Sequence, residues 1–230
     1  MSLFDSENED YWIPLADIMT GLMLIFLLIS ISYMIKVHHE EAKLRQEYAQ
    51  SNKIMLNNLI VKKSLYNNLM DEFNTDLPNW QASIESKDLS IRFNDPAVLF
   101  DTGKATLKPE FMEILDDFFP RYLTIVRGPQ YESTIASIRI DGYTSSGWGN
   151  GTEKGKAYFL NMQLSQQRTM GVLEHLYNMT ADTAIQEYIR ENFTANGLSS
   201  SHLISNLDGS EDFLKSQRVE FKILLKGTAE

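Results

Sequence analysis

Residues 13–35 read IPLADIMTGLMLIFLLISISYMI, and this stretch decides how the rest of the chain is organised. It holds 23 residues, of which only Asp17 is charged. A helix of this length covers about 34 Å at about 1.5 Å per residue, which is enough to cross a hydrocarbon core about 30 Å thick. Tyr11, Trp12 and Tyr33 lie near its ends, where interfacial aromatic residues are common. We therefore predict a transmembrane helix over residues 13–35.

Asp17 lies about one helical turn inside this predicted span. A carboxylate in lipid is costly, so we expect it to face a protein interior or a water-filled path. Thr20 and Gly21 follow at i+3 and i+4, and such small residues allow close packing against other helices. Asp17 is thus a candidate for loading and releasing a proton, with Thr20 as a nearby hydroxyl. The alternative is an aspartate near the interface that is merely tolerated there.

The overall composition excludes several classes of protein. The 230 residues contain no cysteine, which excludes a disulfide framework, a thiolate metal site and a cysteine nucleophile. The net charge of −10 argues against direct nucleic-acid binding, because phosphate requires a basic surface. The first 35 residues carry five acidic and no basic residues, whereas Lys36, Lys43 and Arg45 follow the span. By the positive-inside rule alone, this asymmetry would place the C-terminal side in the cytoplasm.

Residues 36–79 form a predicted helical connector, because residues 36–73 contain neither Gly nor Pro. Apolar residues recur there at spacings of three and four, in a heptad-like seam that favours a helix–helix contact. Two copies of the chain could pair along the seam, or the helix could pack on its own C-terminal domain. The seam consists of Met55, Leu59, Lys62, Tyr66, Leu69 and Phe73.

Residues 80–230 alternate between strand-like and helix-like patterns, which predicts one α/β domain with helices on one face of a mixed sheet. Strands are predicted where apolar residues alternate, and helices where they recur every three or four residues. Nothing in the sequence indicates covalent catalysis, a metal site or a cofactor. The predicted strands are 89–93, with 97–101 as its paired or extended continuation, 137–142 and 219–225, and the predicted helices are 108–126, 162–178 and 183–191.

The membrane segment resembles that of flagellar stator B subunits of the MotB class. Six residues fall in register with that family: Trp12, Ala16, Asp17, Met19, Thr20 and Met23. In that family the aspartate binds the ion whose flow drives the motor. The resemblance implies the same ion-translocating role for Asp17 with Thr20. It implies no cofactor besides the transported ion. A proton is favoured over sodium, because a hard cation requires more oxygen ligands than these two side chains offer.

The C-terminal domain resembles the OmpA-like peptidoglycan-binding domains over residues 88–226. The matching segments are VLFDTGKATLKP at 98–109, DGYT at 141–144, NMQLSQQR at 161–168 and RVEF at 218–221. In that family a carboxylate after the threonine and an arginine on the helix bind the charged groups of a stem-peptide diamino acid. The resemblance implies a peptidoglycan site made of Thr144, Ser145, Asn161, Ser165 and Arg168.

Ser145 occupies the acidic position of that family, and a hydroxyl cannot neutralise an ammonium group. Asp141 or Glu153 could replace the missing acid, the ligand could differ, or wall binding could be weak. The glycine-rich insert 145–158 places Trp148 where it could cover the site. The alternative for Arg168 is an internal ion pair with an acid such as Asp141.

Within the MotB class, the short acidic N-terminus makes the chain similar to the ZorB family of the Zorya anti-phage defence systems. That resemblance implies an inner-membrane protein with a cytoplasmic tail at residues 1–12 and a periplasmic domain, the reverse of the charge rule. It also implies a homodimer inside a pentameric ring of a ZorA/MotA-like membrane partner, anchored to peptidoglycan and driven by protons. A flagellar stator and a purely structural wall anchor are the alternatives.

Overall fold

The computed structural model describes residues 12–149 and 151–227. The predicted tail at residues 1–12 therefore lies outside the described residues, apart from the backbone of Trp12. Helix α1 spans Trp12–Phe73, so the predicted membrane span and most of the predicted connector belong to one helix. The chain divides into two compact units, one ending at Ile54 and one beginning at Met55.

The described part of the first unit is the N-terminal part of α1, whose apolar side chains are exposed in the isolated chain. Leu22 and Phe26, for example, are 69% and 70% exposed. Among the described residues, one helix is long and apolar enough to cross a membrane, with a mean hydropathy of 2.3 over its most apolar window. Exposed apolar surface of this extent requires lipid or partner helices around it.

The second unit contains a five-stranded mixed sheet in the order β1-β2-β5-β3-β4. All neighbouring strands are antiparallel except β3 and β4, which are parallel. The predicted fold class of a mixed sheet with helices is therefore confirmed. The strands are β1 Ala82–Glu85, β2 Ser90–Phe93, β3 Ile135–Tyr143, β4 Phe193–Gly197 and β5 Arg218–Leu225.

Five helices accompany the sheet in this unit besides the end of α1. The three long helices agree with the predicted segments, although the second begins eight residues earlier than expected. The helices are α2 Pro96–Leu99, α3 Pro109–Val126, α4 Lys154–Asn178, α5 Thr183–Asn192 and α6 Phe213–Ser216.

The strand register sorts the side chains of the sheet into an apolar face and a polar face. Ile91 pairs with Phe221, which pairs with Ile140, and all three side chains are buried. The rings of Phe118 on α3 and Phe221 lie 5.2 Å apart, so α3 packs on this apolar face. One residue along, Glu220 pairs with Asp141, and these side chains occupy the opposite face because side chains alternate along a strand.

The C-terminal end of α1 belongs to the core of the second unit. Leu69 and Phe73 are 0% exposed, and the Phe73 ring lies 5.2 Å from that of Phe118. The predicted seam is therefore split, because these two residues pack on their own domain while Met55 and Leu59 stay exposed. The compact unit accordingly begins at Met55 and not at residue 80, where the sequence pattern placed the domain boundary.

The structure differs from the predicted elements in two further places. Residues 97–101 are not a strand, because the Asp95 carboxylate accepts a bond from the Ala97 N–H at 2.9 Å and Pro96 favours the first turn of a helix. Strands β1 and β4 are missing from the predicted list. They are four and five residues long and lie at the two edges of the sheet.

Candidate functional site

Helix α4 presents three of the predicted site residues on one face. Asn161, Ser165 and Arg168 are spaced by four and three residues, so they follow one another along the same side of the helix. All three are buried, with exposed fractions of 2%, 0% and 7%. The structure therefore brings the predicted α4 residues together on the face turned toward the sheet.

The end of β3 approaches this helix so closely that only glycine fits at position 142. A Cβ atom at Gly142 would lie 2.6 Å from Cγ2 of Thr169 and 3.0 Å from the backbone oxygen of Ser165. This contact holds the end of β3 against α4 immediately before Thr144. The glycine of the DGYT segment thus sets the distance between the two halves of the site.

Thr144 supplies a hydroxyl that has no partner among the described residues. Its backbone N–H donates to the Ser199 carbonyl at 2.9 Å, and the Ser199 N–H donates to Oγ of Ser165 at 3.1 Å. These two bonds place Thr144 beside the middle of the α4 face. Its own Oγ1 is buried without a hydrogen bond, although an unsatisfied buried hydroxyl costs about 1–3 kcal/mol. A ligand or a water molecule at this point would remove that cost.

Arg168 is held by backbone carbonyls and an aromatic ring. Its Nε donates to the Lys104 carbonyl at 2.9 Å and its Nη2 to the Asp101 carbonyl at 3.3 Å. The guanidinium carbon lies 4.6 Å from the centre of the Phe100 ring. Burial lowers the pKa of Arg168 to about 10, which leaves the side chain cationic at neutral pH.

The predicted alternative for Arg168, an ion pair with Asp141, is wrong. Asp141 is 1% exposed on the polar face of the sheet, where it pairs with Arg139 at 3.2 Å and accepts a bond from Asn196 at 2.9 Å. No carboxylate of the described residues forms an ion pair with Arg168. The nearby Asp101 carboxylate instead pairs with Lys104 at 3.1 Å, and this contact lowers the pKa of Asp101. Arg168 therefore presents a buried cation without a protein anion.

Ser145 follows Thr144 directly and is half-buried, and α4 holds its backbone in place. The side-chain amide of Asn161 donates to the carbonyl of Ser145 at 3.0 Å and to that of Gly147 at 3.2 Å. Asn161 therefore organises the loop rather than presenting its amide nitrogen to a ligand. The insert continues through Trp148, which is half-buried, and Asn150 lies outside the described residues.

Neither acid that the sequence offered as a replacement for the missing carboxylate is held against this loop. Asp141 points to the other face of the sheet, and Glu153 is an exposed residue whose side chain makes no capping bond to α4. The acid that does reach the loop is Glu211, which accepts a bond from the Ser146 N–H at 2.9 Å and another from the Ser146 hydroxyl. Sequence reasoning missed Glu211 because 65 residues separate the partners and no local pattern connects them.

A second charged cluster occupies the polar face of the sheet. Glu220 is 2% exposed and lies 2.6 Å from Nε of Arg218 and 2.9 Å from Nε of Arg92. Arg218 also stacks on Tyr143, with its guanidinium carbon 3.8 Å from the ring centre. The acids and bases of this cluster compensate one another, and they have the character of a structural network.

The remaining predicted site residues lie in the first unit of the chain. Asp17 and Thr20 share one side of α1, being three residues apart. The Thr20 hydroxyl donates to the Ala16 carbonyl at 2.7 Å, one turn earlier in the helix. Its oxygen keeps free lone pairs, so Thr20 can still accept a hydrogen bond beside the exposed Asp17 carboxylate.

No protein-family model matches the chain. Several solved structures have a related chain trace. A MotB-like protein from Desulfovibrio vulgaris is 20% identical with a TM-score of 0.49, covering 73% of this chain and 96% of that chain. The cell wall anchor of the T6SS from Pseudomonas aeruginosa is 19% identical with a TM-score of 0.45, covering 69% of this chain and 97% of that chain.

A curated protein has a much higher sequence similarity. The Zorya protein ZorB of Escherichia coli (strain Crooks) is 40% identical over 220 residues, which covers 96% of this chain and 89% of the relative. The similarity thus includes both the apolar helix and the α/β unit. The chain belongs to the ZorB family of Zorya proteins.

Proposed function

We propose that the chain is the peptidoglycan-anchored, stator-like subunit of a proton-driven rotary motor that acts in anti-phage defence. In this proposal a ZorA/MotA-like partner forms a pentameric ring around two copies of the chain in the inner membrane. The short N-terminal tail is cytoplasmic and the α/β unit is periplasmic. Its 40% identity to a Zorya protein supports the assignment to anti-phage defence.

The observation that carries the anchoring half of the proposal is the buried Arg168 cation without a protein carboxylate. A buried charge is retained only when something compensates it, and the described residues offer two carbonyl oxygens and the Phe100 ring but no carboxylate. Two of its five N–H donors are engaged, which leaves three for a ligand. A guanidinium binds a carboxylate through two parallel hydrogen bonds, and stem-peptide carboxylates of peptidoglycan have this chemistry.

Wall binding also supports the proposed orientation of the chain in the membrane. The basic residues after the span favour a cytoplasmic C-terminal side by the positive-inside rule. A peptidoglycan site has a function only in the periplasm, so the Arg168 site favours the opposite orientation. A partner subunit that inserts together with this helix could override the weak charge signal.

The driving half of the proposal depends on Asp17. It is the only charged residue in residues 13–35, and the apolar helix around it is exposed in the isolated chain. A ring of partner helices would cover this apolar surface and enclose the carboxylate. In this arrangement Asp17 accepts and releases a proton, and Thr20 offers a neighbouring oxygen as hydrogen-bond acceptor.

The test is phage protection by cells that carry the complete system with Asp17→Asn in this chain. Asparagine has nearly the same shape but cannot ionise, so we expect protection to be lost while the complex still assembles. Asp17→Glu is the matched control, because it keeps the carboxylate and should retain part of the protection. Full protection with Asp17→Asn would contradict the proton-driven role and leave a purely structural wall anchor.

A further inference from the structure

Glu211 is fixed against the loop that follows Thr144 by contacts on both sides of it in the chain. Its backbone forms a bridge with Ser205, and its carbonyl accepts a bond from the Asn206 side chain at 3.3 Å. On its other side, the Asp212 carboxylate caps α6 through the Lys215 N–H at 3.0 Å. The carboxylate of Glu211 is therefore positioned by the loop before it reaches Ser146.

The two contacts to Ser146 leave part of this carboxylate available. The Ser146 N–H and hydroxyl each donate to one of its two oxygens. An ionised carboxylate has about four acceptor positions, so about two remain for another donor. The half-buried position of Glu211 keeps these acceptors within reach of a molecule bound at the loop.

Helix α4 connects the loop that contacts this carboxylate with Arg168. Asn161 holds the carbonyl of Ser145, next to the Glu211 contact, and Arg168 follows seven residues later. Seven residues of α-helix rise about 10 Å. Thr144, with its unpartnered hydroxyl, lies beside Ser165 between the two ends. Arg168, the unpartnered Thr144 hydroxyl and the loop that contacts the Glu211 carboxylate thus all lie along one face of α4.

We propose that Glu211 is a specificity-determining residue, whose carboxylate binds the ammonium group of a zwitterionic ligand while Arg168 binds its carboxylate. This assignment rests on the proposed wall binding and adds to it the residue that would hold a free amine of the stem peptide. Glu211 thereby supplies the negative charge that Ser145 lacks, from a different loop of the domain. The serine at position 145 is compatible with the site because the acid has moved to another element.

The experiment is sedimentation of the full-length chain, solubilised in mild detergent, with purified sacculi whose stem peptides carry free amines. A second batch of the same sacculi is N-acetylated, which removes the ammonium groups and keeps the carboxylates. We expect Glu211→Gln to weaken binding to native sacculi about fivefold to tenfold. We expect acetylation to weaken the wild type by a similar factor and to have no further effect on Glu211→Gln.

Two variants separate a charge effect from damage to the loop. Asp208→Asn changes another acid of the same loop and should bind both sacculus preparations as the wild type does, because asparagine keeps an acceptor for Ser210. Ser145→Asp in the Glu211→Gln background returns a carboxylate to this loop and should restore the preference for free amines. Restored amine preference would support a charge role.

Several outcomes would overturn the assignment. If Glu211→Gln binds as the wild type does while Arg168→Ala binds more weakly, Glu211 has no role in binding, and the proposed wall binding still holds. Equal loss of binding to native and acetylated sacculi with Glu211→Gln would mean that Glu211 only supports the loop. A wild-type chain that sediments with neither preparation would overturn the proposed wall binding and this assignment together.

Discussion

Arg168 and Arg218 are buried to nearly the same extent, 7% and 6% exposed, yet their surroundings differ in one respect. Each donates to two backbone carbonyls and stacks on an aromatic ring. Only Arg218 also has a carboxylate, that of Glu220 at 2.6 Å. The comparison teaches that a buried guanidinium with its own acid belongs to the fold, whereas one without an acid is available to a ligand.

The strand register explains why the two arginines differ. Arg92, Glu220 and Asp141 are direct neighbours across β2, β5 and β3, so the polar face of the sheet brings opposite charges together. Arg168 lies on a helix that faces the apolar side of the sheet, where the strands offer no acid. Its guanidinium donates hydrogen bonds to backbone carbonyls of the loop after α2 instead.

The largest effect on stability should come from substitution of Arg218, the buried arginine that is paired with an acid. Arg218→Met removes one partner of a buried ion pair and leaves Glu220 with Arg92 alone. We expect the free energy of unfolding to fall by about 3 kcal/mol. Equilibrium urea unfolding of the unit that begins at Met55 measures this change. Arg190→Met, which breaks an exposed pair with Glu187, is the control and should cost less than about 1 kcal/mol.

A loss below about 1 kcal/mol with Arg218→Met would contradict the structural role of this pair, since the exposed control costs as much. Arg92 would then be sufficient to compensate Glu220, and the polar face would tolerate an unpaired position. The contrast between the two buried arginines would lose its physical basis.

A smaller effect on stability is expected from a substitution at Gly142, where β3 packs against α4. Gly142→Ala forces a Cβ to within 2.6 Å of Thr169, so helix and strand must separate. We expect a loss of about 1–3 kcal/mol in unfolding free energy, together with weaker wall binding. Gly155→Ala is the matched control, because its Cβ meets nothing within 4 Å and alanine stabilises a helix by about 0.5–1 kcal/mol. Similar stability of the two variants would contradict the close approach.

Much of the fold could be predicted because its signals are local. The apolar run around Asp17 and the alternation in β5 need no distant contact to be recognised. The end of α1 could not be assigned, since a heptad-like seam looks the same whether its partner is a second copy or its own domain. The core contacts of Leu69 and Phe73 decide this question for their part of the helix.

The candidate site was predicted in part. Asn161, Ser165 and Arg168 could be placed on one side of a helix from their spacing alone. That Arg168 has no ion pair among the described residues could not be foreseen, because the charge of its neighbours depends on which face of the sheet each strand residue occupies. The contact of Glu211 with this loop could not be predicted, because it joins Ser146 to a second loop and no sequence pattern connects the two.

The central claim is that Arg168 binds the wall through a carboxylate, and one binding measurement tests it most directly. Native sacculi are titrated with wild type, Arg168→Ala and Arg218→Met, each at the same concentration of folded chain as verified by circular dichroism. We predict that Arg168→Ala binds about 10-fold to 100-fold more weakly, as expected for the loss of a charge-assisted bidentate contact, while Arg218→Met binds as the wild type does. Sedimentation of folded Arg168→Ala at the wild-type level would contradict the account.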